Sequence, residues 1–307
     1  MNQDDGFATE YHRPVMVDEV VALLRPVEGI VVDATFGGGG HSKAICEEIG
    51  NQVELIGIDR DAQAAKNAAD LGVRFLSGDF RDLDSILDGA GIGDVGAVLF
   101  DFGVSSRQLD DPQRGFSYRF DGPLDMLMDS TLPKTAADLV NEMELEELRG
   151  VIARFGEEPM ARRIAEAIIR NRPFSRTLEL AKVVADATPA ALRRRGHPAR
   201  KTFQALRIAV NHELEAVEAG LDQALARLEV GGRCVAISYH SLEDRIVKGR
   251  FAPKRCVCPP GLPVCVCGGN ETLNRLTPRA VKPSLQEIQA NPRARSARLR
   301  AVERRAA

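Results

Sequence analysis

The sequence contains no apolar run approaching the ~20 residues that a membrane-spanning helix needs. Its opening residues, MNQDDGFATEYHRP, have neither a basic start nor an apolar stretch, so no secretory signal is expected. Without an export signal the expected location is the reducing cytoplasm, where the six cysteines are thiols rather than disulfides. There is no internal repeat and no GxxxxGK[ST] phosphate loop. What is present is ordinary globular material: 307 residues, 44% hydrophobic and 28% charged. That mix excludes a disordered chain, a collagen and a coiled coil, and the length fits about two domains of ~150 residues each.

The net charge of −3 conceals an asymmetry. Residues 1–150 carry 12 basic and 29 acidic side chains; residues 151–307 carry 29 basic and 15 acidic. A basic second half points to a polyanionic partner such as a nucleic acid, or else the two halves neutralise each other.

Four apolar runs come early: residues 30–36 (IVVDATF), 53–60 (VELIGIDR), 73–80 (VRFLSGDF) and 96–103 (GAVLFDFG). Each is nearly continuous in apolar residues, with room for a helix before the next, which is the pattern of a parallel sheet covered on both faces. Asp33, Asp59, Asp79 and Asp101 fall near the carboxyl ends of these strands, where such sheets bind ligands. From residue 105 to 220 the strands stop. Residues 142–155, 159–171, 178–187 and 199–228 have helical spacing instead. An apolar strand then returns at 233–239 (RCVAISY) after Gly231 and Gly232, and the arginine-rich tail 282–307, with Leu299 and Val302, reads as a final edge strand. The expected fold is α/β, a Rossmann-like sheet built from residues 1–104 and 221–307 with a mainly helical insertion at 105–220.

The chemistry is concentrated at the strand ends. After Asp33 come four glycines and His41, a turn that lets a ligand approach the backbone. The dinucleotide spacing GxGxxG fails, because its third glycine falls on Ser42 or Lys43. Asp59, at the end of the next strand, is placed to accept hydrogen bonds from a ribose diol. Glycine turn and acid together indicate a nucleoside-bearing cofactor, and Asp33 favours S-adenosylmethionine over a dinucleotide, because a carboxylate suits a sulfonium–amino-acid ligand better than a pyrophosphate. Phe80 follows Asp79 and either faces an adenine or belongs to the core. Asp101 ends the fourth strand, where a reacting group would sit.

Phe116, Tyr118 and Phe120, interleaved with Arg114 and Arg119, suit an ordered loop that stacks an unpaired base, or a loop tucked into an interface. Arg193, Arg194 and Arg195, with Arg200 and Lys201, either grip phosphate or solvate a helix end. His240 either shapes a substrate pocket or caps the next helix. Cys256, Cys258, Cys265 and Cys267 either enclose a zinc ion or form a reduced loop, and no metal is assigned.

The strings DATFGGGGHS, GIDRD, GDFRDL, DFGVSSRQLD, RGFSYRFDGPLDM, FQALRIAVNHEL, SYHSLEDRIVK and NPRARSARLRA occur in that order. Together they resemble the bacterial 16S rRNA cytosine-N4 methyltransferase family over nearly the whole chain, from Tyr11 to about Ala301. The resemblance implies a class I methyltransferase domain with an inserted helical domain, S-adenosylmethionine as cofactor, and methylation of a cytosine amine in the decoding region of 16S rRNA, within the small ribosomal subunit. It also suggests a homodimer. The family's cofactor positions fall on Gly39, Gly40, His41, Asp59, Phe80, Asp101 and Gln108. The two prolines that many amino-group methyltransferases carry after the fourth-strand acid are missing here, although Asp101 is kept. The competing readings are a methyltransferase acting on a small molecule or protein, and a non-catalytic RNA-binding factor with a bound cofactor.

Overall fold

The computed structural model describes residues 14–104, 110–129, 132–193, 196–252, 258 and 272–306. The chain divides into two compact units, one of residues 1–103 with 215–307 and one of residues 104–214. The first runs through α1 (Val17–Leu24), β1 (Gly29–Asp33), α2 (Gly40–Ile49), β2 (Val53–Asp59), α3 (Ala62–Leu71), β3 (Arg74–Ser77), α4 (Leu83–Gly89) and β4 (Val95–Asp101). The second holds α5 (Ala136–Glu142), α6 (Leu145–Gly156), α7 (Ala161–Arg170), α8 (Thr177–Ala187), α9 (Ala190–Arg193) and α10 (Arg200–Asn211). The boundary then falls in the first turn of α11 (Glu213–Arg227). The first unit resumes with β5 (Leu228–Ser238), α12 (Ser241–Arg250), β6 (Leu273–Arg275), α13 (Leu285–Ala290) and β7 (Arg298–Arg304).

The strands form one sheet of order β3-β2-β1-β4-β5-β7-β6. Strands β1 to β5 are parallel, and β7 runs antiparallel between β5 and β6. The order reverses between β1 and β4, the switch point at which doubly wound, Rossmann-like sheets open a ligand crevice. The apolar runs are continuous because both faces are buried. Val31, Leu99, Val235 and Ile237 pack on one side with Val20, Leu24 and Ile45. Their neighbours Val32, Val98, Phe100 and Ala236 pack on the other with Leu83, Leu87 and Leu221. Adjacent strand residues point to opposite faces, so a run hydrophobic at every position needs two helical layers.

Three sequence expectations change. The tail is a strand, but not the edge: β7 lies inside the sheet and the three-residue β6 takes the outer place. Residues 199–228 are two helices, because His212 turns left-handed at φ 51°. Beside it the Asn211 amide donates to the carbonyls of Met126 and Arg207, while its oxygen accepts from the Met128 N–H. Asn211 thus ties the helix end to a loop, a long-range contact that helical spacing does not reveal. Finally, β5 begins at Leu228 and passes through the two glycines, with a shift of register against β4 between Val95 and Ala97. Among the described residues no helix is long and apolar enough to cross a membrane.

Candidate active site

The carboxyl ends of β1, β2 and β4 bring Asp33, Asp59 and Asp101 to one edge of the sheet. The chain leaves β1 through the glycine turn. Gly37 and Gly39 have φ of 50° and 74°, a region that side chains with a Cβ avoid. A Cβ on Gly39 would stand 2.8 Å from the Leu71 side chain and 2.9 Å from the Phe36 ring. Gly39→Ala is therefore expected to lose ~2–4 kcal/mol from backbone strain and overpacking, read as an earlier urea midpoint at unchanged slope. Gly40, which opens α2, is closed over by Pro14: a Cβ there would lie 2.9 Å from the proline ring.

Asp59 braces this turn. One carboxylate oxygen accepts the Gly37 N–H at 2.7 Å and the other accepts the Asp61 N–H at 2.8 Å. Burial raises its pKa above the ordinary carboxylate value. A carboxylate offers about four lone-pair positions, so roughly two remain for a ligand.

Asp101 is the most elaborately held of the three. Its backbone N–H donates to Thr35 Oγ1 at 2.6 Å. The Tyr239 hydroxyl donates to its Oδ1 at 2.7 Å. Burial, then the Asp101 charge, raises the tyrosine pKa well above its ordinary value, so this hydroxyl is a donor that does not ionise. On the other side His41 Nδ1 lies 3.7 Å from Asp101 Oδ2. The opposite ring nitrogen of His41 donates to the Val15 carbonyl at 2.8 Å. The side chain of Asp101 keeps 11% of its surface open, whereas that of His41 keeps 6%. The arrangement is a fixed, partly open carboxylate next to a glycine turn and a second acid, which can hold a cationic or amine-bearing ligand.

A model described as the MraW methylase family matches residues 9–305. The chain belongs to that family. Relatives called ribosomal RNA small subunit methyltransferase H share 48% identity in Thermomicrobium roseum, over 95% of this chain and 93% of that one. The figures are 48% in Geobacter sulfurreducens, over 95% and 98%, and 44% in Heliobacterium modesticaldum, over 96% and 98%.

In this MraW methylase the other expected site residues have varied fates. Asp33 is turned inward, 2% exposed, accepting from Ser42 Oγ at 2.7 Å and from the Thr35 N–H at 3.3 Å. It shapes the turn from behind instead of facing a ligand. Burial pushes its pKa up to about 6. Between the ordinary value and about 6 the folded protein keeps a proton that the unfolded chain has released. Stability therefore falls as pH rises through that window and levels above it. The expected loss is at most ~3 kcal/mol, and Asp33→Asn should abolish it. Urea unfolding from pH 4 to 7 on both proteins reads the slope.

Phe80 opens a single 3-10 turn and is half-buried, its ring 5.7 Å from those of Phe100 and Phe102. His240 is the cap of α12: its Nδ1 accepts the Glu243 N–H at 3.3 Å, and its own N–H donates to Glu243 at 3.1 Å. That is the capping alternative, fixed because a buried helix end must satisfy its N–H groups.

In the second unit Phe116 is 5% exposed and belongs to the core, which removes it from base stacking. Tyr118 stacks on His197 at 4.4 Å between ring centres, while Phe120 stays 51% exposed. Arg193 donates to the Thr188 carbonyl at 2.7 Å and to the Asp186 carbonyl at 3.4 Å, so its guanidinium caps α8. Gln108, Arg194, Arg195, Cys256, Cys265 and Cys267 lie outside the described residues.

Tyr239 and Thr35 were missed as site residues. A signal for Tyr239 was available: it closes the run RCVAISY, at the carboxyl end of a strand expected in the same sheet, and the structure pairs Asp101 with Ile237 two residues before it.

Proposed function

We propose that this chain transfers the methyl group of S-adenosylmethionine to the N4 amine of a cytosine in the decoding region of 16S rRNA. The observation that carries the reading is Asp101, a partly open carboxylate held by Tyr239 at the switch point of the sheet, in a chain that is a MraW methylase over nearly its whole length. The turn fits the cofactor. Gly37, at φ 50°, turns its N–H onto Asp59 Oδ2 at 2.7 Å, which fixes that carboxylate beside the turn and leaves its remaining lone pairs for a ligand. Asp59 is suited to the ribose hydroxyls, Phe80 to the adenine and Asp101 to the amino-acid end. The cofactor supplies an electrophilic methyl on a sulfonium sulfur.

The chain's own residues supply orientation and charge. The lone pair of a cytosine amine is delocalised into the ring, so the amine must be turned and an N–H hydrogen bond accepted as the nitrogen becomes nucleophilic. Asp101 can accept that bond, because Tyr239 fixes its carboxylate and leaves lone pairs unused. As the nitrogen gains positive charge the fixed carboxylate stabilises it, an interaction stronger in the transition state than before it. No strong base is required, since the methylated nitrogen sheds its proton readily. The base must leave its stack for this geometry; Tyr118 and Phe120 are candidate RNA contacts within the inserted unit. The reaction belongs in the cytoplasm, on the small ribosomal subunit.

Transfer of labelled methyl to isolated small subunits, with mapping of the modified nucleotide, tests this reading. Label appearing only in protein or in a small molecule would replace it, and the absence of any transfer would leave a cofactor-binding factor.

A further inference from the structure

The positive charge of the second half is shared by the two units: residues 151–214 carry 13 basic and 6 acidic side chains, and residues 215–307 carry 16 and 9. The inserted unit, residues 104–214, has 18 basic and 16 acidic side chains. Residues 245–307, all in the first unit, have 14 basic and 3 acidic, in a chain whose net charge is −3. Like charges at that density repel one another and destabilise a fold unless an anion accompanies them.

The fold gathers part of this charge on one face. Along β7, Arg298, Arg300 and Val302 point the same way. Arg275 of β6 is paired directly with Val302 and so shares that face. Helix α12 lies over it, and its Asp244 receives Arg298 at 3.0 Å and Arg300 at 2.7 Å. One acid therefore orders two arginines and neutralises one. Lys248, a helical turn beyond Asp244, and Arg275 have no partner among the described residues. Lys248, Arg275 and Arg300 converge with Thr277, Phe251 and Ala301 on a shallow concavity. Three cations around one spot suit a single phosphate group, with Arg300 pre-ordered by its bond to Asp244. At the other end of this row Arg298 is paired with Ser238, at the carboxyl edge where β4 presents Asp101. From Arg298 to the level of Arg275 is four residues of strand, about 14 Å.

We propose that this flank of β7, β6 and α12 is a phosphate-binding surface for the RNA strand next to the target base, with Lys248, Arg275 and Arg300 holding one phosphodiester group. The inference rests on the rRNA reading above and deepens it by placing an RNA contact on the sheet unit.

Lys248→Gln with Arg275→Gln tests it, with Arg300 left intact so that Asp244 is not stranded. The measurement is binding of the full-length protein to a 16S rRNA fragment as a function of KCl. Removing two of the three cations from that phosphate should reduce the slope of log Kd against log salt by ~0.7–0.9, the value for one phosphate contact, and raise Kd at 0.15 M roughly tenfold. Affinity for S-adenosylmethionine should not change, and Lys248→Arg with Arg275→Lys should keep most of the slope because the charges remain. An unchanged slope in the glutamine pair overturns the proposal. Wild-type methyl transfer to small subunits is measured alongside and reports on the rRNA reading itself. If the wild type transfers methyl while the glutamine pair keeps its slope, this surface alone is wrong.

Discussion

Asp101→Asn is expected to slow methyl transfer about 10²- to 10³-fold at saturating cofactor, the range seen when one charge-stabilising group is removed from a transition state. Cofactor affinity should fall less than tenfold. Tyr239 dictates the outcome. Its hydroxyl stays protonated and donates to Oδ1 at 2.7 Å, a bond that asparagine keeps when its amide oxygen takes the place of Oδ1. The amide NH2 then takes the place of Oδ2 and presents a donor where the cytosine amine needs an acceptor. A group that matters more in the transition state than in the ground state appears in turnover more than in binding. Single-turnover methylation of small subunits, beside calorimetric titration of the same variant, separates the two. A normal saturated rate with weakened binding would make Asp101 a cofactor ligand only. Tyr239→Phe should act in the same direction but more mildly, because the carboxylate survives and loses only the bond that orients it.

Asp59→Ala should weaken S-adenosylmethionine binding roughly ten- to a hundredfold, equivalent to ~1.5–3 kcal/mol for hydrogen bonds to a charged acceptor. Two losses combine. The ribose loses its acceptor, and the Gly37 N–H loses the partner that holds the turn at 2.7 Å. Asp59→Asn separates them in part, since the amide oxygen can keep the Gly37 bond while the charge and the bond from the Asp61 N–H are lost. If the asparagine variant binds as wild type, the effect of alanine lies in the turn. If asparagine weakens binding nearly as much as alanine, the charge on the ribose dominates. An unchanged dissociation constant in Asp59→Ala would remove this residue from the cofactor site altogether.

Much of the architecture was legible beforehand because it is written in local terms. A run apolar at every position, followed by glycines or an acid, states a buried parallel strand and its carboxyl end without reference to the rest of the chain. On that basis β1, β2, β4 and β5 were recognisable, and with them the edge that holds Asp59 and Asp101. Helices were found with shifted ends, except at His212, where a periodic stretch is interrupted by a left-handed residue that Asn211 secures through contacts more than 80 residues away.

The roles of identical-looking residues were decided elsewhere. Asp33 and Asp101 read alike as strand-end acids. Only the packed structure turns the first inward onto Ser42 and leaves the second partly open between Tyr239 and His41. Phe116 and Phe120 lie four positions apart in one aromatic loop, yet one is core and the other is exposed. The sequence by itself determined the sheet, its acidic edge, the glycine turn and the excess of positive charge, since these follow from periodicity, turn chemistry and composition. Tertiary structure alone decided which carboxylate is open, that Tyr239 holds it, that β7 lies inside the sheet, and that Lys248, Arg275 and Arg300 meet. Each of those depends on pairing between segments tens to hundreds of residues apart, and burial and hydrogen-bond satisfaction are set only when those segments come together.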